Sequence, residues 1–339
     1  MTSAMFREAA EAPAVVRRQL AYHRDALRHL VQYLKSSPPR TVVTVARGSS
    51  DNAATYAKYL IETRLGLITA SAAPSVSSVY ERRTDMRDVL VLAISQSGKS
   101  PDLIASLEKA RAAGAFIVGL VNAPDSPLES IAHVTLPLHA GPEISVAATK
   151  SYVASLAVLA NLVALWSGDD ALTRQVEMLP PLLERAWNCD WTPAVQALSG
   201  ARDLYVIGRG IGFGIAQEAA LKLKETCGLH AEAFSAAEVL HGPMALVGNG
   251  FPVLVFSQND ESRESVEAMT GRFAQNQARM LVAGFAASGA TALPTVAAVP
   301  ALEPILMIQS FYRMAEALSR QRGLDPDAPP HLKKVTETV

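Results

Sequence analysis

Val89-Leu90-Val91-Leu92-Ala93-Ile94-Ser95-Gln96-Ser97-Gly98-Lys99-Ser100-Pro101 is an apolar run of strand length that breaks into a serine-rich loop and then meets a helix signal. Ser100 suits a helix N-cap and Pro101 a first helical position, so the pattern predicts a strand at 89–94 and a helix over 101–113. A helix start leaves backbone N–H groups unpaired and carries partial positive charge. Three hydroxyls beside those donors make a compact anion site, and Gly98 lets the backbone turn closely. Such a site needs no lysine, so Lys99 is free to face solvent. The same residues also make an ordinary polar turn, for which serine and glycine are common choices.

Outward from this loop, the chain repeats itself. Val91 to Gln96 resembles Val253 to Gln258, and Val42 to Gly48 resembles Leu204 to Gly210. Arg47 and Arg209 stand 162 residues apart, as do Ser95 and Ser257. Two landmarks at one offset indicate a duplicated domain, and the period is far too long for a solenoid. In the first copy strands are predicted at 41–46, 89–94, 116–121 and 133–137, and helices at 51–64, 101–113 and 148–166. Short β-branched runs alternating with helices imply an α/β fold with parallel sheets. Open sheets of this kind bind ligands beyond the carboxyl ends of their strands. That rule selects Gly48-Ser49-Ser50, Ser95 to Ser100 and Gly208-Arg209-Gly210. The expected domains are an N-terminal helix within 1–36, copies at 37–167 and 193–324, a linker at 168–192 containing Pro180 and Pro181, and a tail at 325–339.

Composition bounds the rest. The 339 residues suit two α/β cores, and 49% of them are apolar. A formal net charge of −1 offers nothing to nucleic acid or a membrane surface. The two cysteines, Cys189 and Cys227, form neither a C-x-x-C nor a group with histidines. Met1 to Glu11 does not read as a signal peptide, and no window reaches roughly 18 uninterrupted apolar residues. A cytoplasmic protein is expected.

Residues 214–228 place Glu218, Lys222 and Glu225 on one helix face, with Lys224 elsewhere. Such a triplet is either a solvated ion-pair stripe or a carboxylate held beside an ammonium to move a proton. His230 and His241 follow. His241 precedes Gly242-Pro243, a rigid turn that would present its imidazole for proton transfer. Either histidine could instead be a core or capping residue. No H-x-x-x-H or H-E-x-x-H spacing calls for a metal.

These residues together resemble the isomerase half of glutamine–fructose-6-phosphate aminotransferase, a pair of sugar isomerase (SIS) domains. The carriers are Ser95 to Gly98, Glu143 to Lys150, Ala220 to Glu225, His230-Ala231-Glu232, His241-Gly242-Pro243 and the tail from Asp325 to Val335. The resemblance implies two tandem SIS domains, each a parallel sheet flanked by helices in a flavodoxin-like three-layer sandwich. It implies that Ser50, Ser95, Gln96, Ser97 and Ser100 hold a sugar phosphate, and that Ser49 and the Val146 backbone contact the sugar. By the same resemblance Glu225 moves the proton between C1 and C2, and Lys222 supports it. His241 opens the pyranose ring, reaching into a neighbouring subunit's site, so a homodimer with shared sites is expected. Lys334 matches the lysine that forms a Schiff base with the ketose. No cofactor or metal is implied.

The chain departs from that family at Leu240, Ala148 and Lys333, where the synthase has Lys, Ser and Ala. Residue 2 is Thr and the first cysteine is Cys189, so no amino-terminal glutaminase with a nucleophilic cysteine is expected. The expected reaction is therefore the reverse with water: glucosamine 6-phosphate is deaminated and isomerised to fructose 6-phosphate and ammonia, as in SIS-type glucosamine-6-phosphate deaminases. A fructosyl-amine 6-phosphate deglycase, a galactosamine-6-phosphate deaminase and an aminotransferase lacking its glutaminase are alternatives. A sugar-phosphate sensor is a different class. Another reading takes Gly208 to Gly214 as a dinucleotide loop, although it fits G-x-G-x-x-G only loosely.

Overall fold

The run from Val89 forms the middle strand of a five-stranded parallel sheet in the computed structural model, which describes residues 2–82 and 84–334. In chain order, helices α1 (Ala4–Ala10) and α2 (Ala12–Ser36) lead into β1 (Thr41–Val45), α3 (Ser49–Leu65), β2 (Thr69–Ser71) and α4 (Pro74–Ser78). Then follow β3 (Val89–Ser95), α5 (Pro101–Ala112), β4 (Phe116–Val121), α6 (Pro127–Ile131), β5 (Val134–Pro137) and α7 (Lys150–Ser167). The sheet order is β2-β1-β3-β4-β5, all parallel. The three-residue β2 escaped the sequence reading because it is too short to show a period. Residues Leu90 to Ser95 are buried on both faces. Val91 and Ala93 pack with Leu103 and Leu107 of α5, while Leu90, Leu92 and Ile94 point the other way. That double burial is why β3 reads as a continuous apolar run.

The expected linker is helical: α8 (Asp170–Glu177), α9 (Leu179–Trp187) and α10 (Thr192–Leu198). Pro180 and Pro181 sit in the first turn of α9, where a missing N–H costs nothing. The second sheet follows with β6 (Asp203–Gly208), α11 (Phe213–Cys227), β7 (His230–Ser235), β8 (Pro252–Phe256), α12 (Arg263–Gln275), β9 (Arg279–Ala283), β10 (Ala290–Leu293) and α13 (Glu303–Gln321). Its order, β10-β9-β8-β6-β7, is the first sheet's order repeated. The 162-residue offset is therefore a repeat of topology as well as of letters.

The chain divides into two compact units. The first comprises residues 14–143, 150–177 and 333–334, and the second residues 2–13, 144–149 and 178–332. Helix α1 thus belongs with the second sheet, although α2 belongs with the first. By length and composition α7 could cross a membrane, but 83% of it is buried within the protein, as in a core helix.

Candidate functional site

In the first unit, sheet order reverses direction of build between β1 and β3, and the two loops leaving those strands are Arg47 to Ser50 and Ser95 to Ser100. Gly48, at φ 55°, is the N-cap of α3. Ser49 and Ser50 lie in its first turn, so neither hydroxyl stands at the N-cap position. Ser95 is buried and its Oγ accepts from the Gly98 N–H at 2.9 Å, closing the loop on itself. Ser97 Oγ accepts more weakly from Lys99 N at 3.4 Å, and Lys99 is exposed. The loop is also tied to the next connection: Ala123 N donates to Gln96 O at 3.0 Å and Leu128 N to Gly98 O at 3.2 Å. Gly98 has φ 63°, and an added Cβ would lie 2.6 Å from Ser126 Oγ and 2.8 Å from Val121 Cγ2. Only glycine fits that approach.

Ser100 is the N-cap of α5, yet its hydroxyl makes no capping bond, and Pro101 fills the first helical position. Its Oγ is thus not committed to the helix it starts. Arg47, whose sequence position marks the repeat but no role, donates from Nε and Nη2 to Asp102 Oδ2 at 2.9 and 2.6 Å. Asp102 also accepts from Leu103 N at 2.8 Å. One guanidinium thereby joins the end of β1 to the first turn of α5, between two helix starts. Two helix N-termini, serine hydroxyls and an arginine form a surface suited to a phosphate dianion. At the far edge of this sheet a cleft of about 600 Å³ is lined by Arg18, Tyr22, Asn122 and His139 among others. Burial pushes His23, which neighbours His139, down to about 4.

The first unit also holds Lys334. Its Nζ lies 3.4 Å from Glu143 Oε2, and the Glu143 carboxylate takes the Ser151 hydroxyl at 2.6 Å and the Ser151 N–H at 3.2 Å. Lys333 is exposed, so of the two adjacent lysines the matched one is tethered to a buried acid.

In the second unit, α11 carries Glu218, Lys222 and Glu225. Lys222 Nζ stands 3.6 Å from Glu218 Oε1 and hydrogen-bonds Glu225 Oε2. The Tyr312 hydroxyl donates to Glu218 Oε1 at 3.1 Å. Side-chain exposure is 0% for Glu218, 1% for Lys222 and 19% for Glu225. The stripe is therefore buried, and the solvated reading fails. A polar residue goes inside only when its charge is met there, and the ammonium between two carboxylates meets it. Glu225 is the one member open to a ligand. His230 and His241 are both exposed, so neither is a core residue. His241 is held by backbone, its N–H donating to Glu238 O at 2.9 Å before Gly242 at φ 135°. Val146 is partly exposed, next to the buried Ser145. Burial lifts the Cys227 thiol to about 11, which makes it a poor nucleophile.

The second copy of the serine loop is built differently. Ser257 to Ser262 includes Asp260 and Glu261, which repel an anion. Gln258 Nε2 fills the space, donating to Arg209 O, Asp260 Oδ2 and Ser262 Oγ at 2.8–2.9 Å. Gly212 makes room for the Gln258 side chain, and Gly208 for the Gly212 carbonyl. These packing needs account for Gly208 and Gly212, two of the four glycines in the segment that loosely fits a dinucleotide loop.

Comparison with known proteins bears on the family and the fold. The SIS domain family model matches residues 37–165 and 197–295. Glutamine–fructose-6-phosphate aminotransferase (isomerizing) from Thermococcus kodakarensis is 33% identical over 97% of this chain and 57% of its own length. The enzyme of that name from Aeropyrum pernix is 34% identical over 88% of this chain and 51% of its own. The chain thus spans about half the length of these curated relatives. Among solved structures, a candidate phosphosugar isomerase from Silicibacter pomeroyi DSS-3 superposes with a TM-score of 0.92 at 41% identity, over 96% of this chain and all of that one. A glucosamine-6-phosphate deaminase from Thermotoga maritima superposes at 0.78 with 20% identity, over 99% of this chain and 100% of that one, a likeness of fold. With both halves matched and both sheets built in one strand order, the chain belongs to the SIS domain family as a tandem pair of such domains.

Proposed function

We propose that this chain deaminates and isomerises an amino sugar phosphate, converting glucosamine 6-phosphate and water to fructose 6-phosphate and ammonia. The observation that carries this reading is Glu225, the accessible end of a buried Glu–Lys–Glu stripe. A carboxylate beside an ammonium, with one side open, is equipped to take a carbon-bound proton and return it. The phosphate is held by Ser50, Ser95, Gln96, Ser97 and Ser100, whose loops start two helices. Ser49 and the Val146 backbone meet the sugar.

His241 passes a proton to the ring oxygen as the C1–O5 bond breaks, the C1 hydroxyl gives its own proton back through the imidazole, and the pyranose opens to the C1 aldehyde. Glu225 removes the C2 proton, and the electron pair forms the C1–C2 enaminol as the aldehyde oxygen is protonated. Glu225 then returns the proton to C1, leaving a ketimine at C2. Water adds to that carbon, the C–N bond breaks, and ammonia leaves with the ketone in place. Lys222 holds Glu225 in its working geometry, and Lys334 serves at the sugar oxygen. His241 is exposed on its own subunit, and in this reading it serves a second copy of the chain in a homodimer.

The kinship with a candidate phosphosugar isomerase at 41% identity favours one second reading. In it the same proton shuttle interconverts an aldose and a ketose phosphate without loss of ammonia. The two are separated by incubating purified protein with glucosamine 6-phosphate, galactosamine 6-phosphate and glucose 6-phosphate while following ammonia and ketose formation. The deaminase reading expects ammonia and ketose in equal amounts from an amino sugar, abolished in Glu225→Gln. Ketose without ammonia supports the second reading; neither product from any of the three sinks both.

A further inference from the structure

Glu8 is 136 residues from the start of the loop it serves, and nothing in its local sequence marks it. It lies on α1, is 5% exposed, and accepts a hydrogen bond from the Ile144 N–H on Oε1 and from the Ser145 N–H at 3.2 Å on Oε2. Two consecutive amides on one carboxylate fix the direction of that backbone, and the next residue is Val146. A buried carboxylate is costly unless it receives strong hydrogen bonds; a helix that only needed anchoring could use an apolar side chain there.

The other end of α1 is held by the tail. Asp327 takes the N–H groups of Ala4 and Met5 at 2.7 Å each, one on each oxygen. Ser3 Oγ donates to Glu316 Oε1 at 2.7 Å, and Gln309 Nε2 donates to Ala9 O at 2.9 Å. The Phe6 ring packs edge-on against Trp187 at 4.9 Å. A helix of 7 residues does not persist alone in water, so its placement depends on these contacts. All of them lie within the second unit.

We propose that Glu8 is a positioning residue for the sugar-contacting loop, and that Asp327 sets Glu8 through α1. The tail and loop 144–146 are then two ends of one hydrogen-bonded strut. This rests on the reading that the Val146 backbone meets the sugar.

The test compares Glu8→Gln, Asp327→Asn and the double variant in the full chain. Amide hydrogen exchange is read at residues 144–146, and binding of fructose 6-phosphate and of inorganic phosphate by calorimetry. Exchange at 144–146 is expected to rise by about tenfold in each single variant, including the remote Asp327→Asn. Fructose 6-phosphate is expected to bind about fivefold more weakly while inorganic phosphate stays within about twofold, because the phosphate loop belongs to the other unit. Losses in the double variant are expected not to add. Unchanged exchange at 144–146 in Asp327→Asn overturns the strut. Should Glu8→Gln fail to fold, Asp327→Asn decides the proposal by the same two readouts. If exchange rises but the sugar phosphate binds each variant as it binds the unaltered chain, the positioning role is overturned. If the unaltered chain binds no sugar phosphate, the functional reading fails with it, whereas the exchange rates still decide the strut.

Discussion

The Arg47 guanidinium sits on the Asp102 carboxylate, with Nε and Nη2 at 2.9 and 2.6 Å from a single oxygen. Asp102 is 2% exposed and Arg47 52%, so the pair has a buried acid and a half-solvated base. It ties the loop after β1 to the first turn of α5, the two places where the proposed function seats the phosphate. Arg47→Ala leaves Asp102 buried with its backbone partner alone. It is expected to cost about 1–2 kcal/mol, the low end for such a loss because solvent screens the arginine. It should also raise KM for a sugar phosphate more than it lowers kcat. An unchanged KM would remove Arg47 from the site.

Gly98→Ala meets three obstacles, the positive φ and the Ser126 and Val121 side chains. Since the added methyl lands 2.6 Å from Ser126 Oγ, the loop has to move. A stability loss of about 1–3 kcal/mol is expected in urea unfolding. Ser126→Gly in the same chain should recover part of it, leaving the cost of the dihedral and of the Val121 contact. Full stability with an intact KM would show that the loop is more plastic than its packing implies.

Lys222 and Glu225 are expected to separate stability from chemistry. Lys222→Met leaves Glu218 fully buried beside Tyr312 without its cation, at a cost of about 3–5 kcal/mol. Glu225→Gln keeps the shape and a hydrogen-bonding oxygen near solvent, so thermal unfolding should move little. Its turnover should fall about 10²–10⁴-fold. Thermal melts and kcat on both variants check this contrast, and a Glu225→Gln enzyme with normal kcat contradicts the assigned base.

His23 links stability to acidity. Burial lowers its folded-state pKa from 6.5 to about 4, with His139 adding in the same direction. The fold rejects the protonated ring, so the contribution is complete above about pH 6.5 and is lost as pH falls toward 4. The full effect is roughly 3 kcal/mol. Melting temperature should therefore drop across that window, and less steeply in His23→Gln. Parallel curves for the two proteins would assign the acid sensitivity to other groups.

Much of this protein follows from local pattern. The strand at Val89, the helix at Pro101 and the repeat of Arg-Gly and Ser-Gln at one offset were legible because parallel strands need apolar runs and helix starts need particular residues. The α/β class and the serine loop followed directly. Burial was not legible. Glu218, Lys222 and Glu225 read alike as a wet or a dry stripe, since helical spacing names a face and says nothing about what covers it. The structure puts that face inside, with Tyr312 on Glu218.

Letters alone determined the two sheets, their sister relationship and the loops at their carboxyl edges, because those depend on residues close in sequence. Tertiary structure decided how the two copies of the serine loop differ, since Gln258 ties the second one to Arg209 and Ser262. It also decided that Arg47 meets Asp102 and that Glu8 meets Ile144 and Ser145. Those pairings join residues 55 to 137 positions apart. Only the folded backbone brings them within hydrogen-bond reach, and no local pattern records a partner that distant.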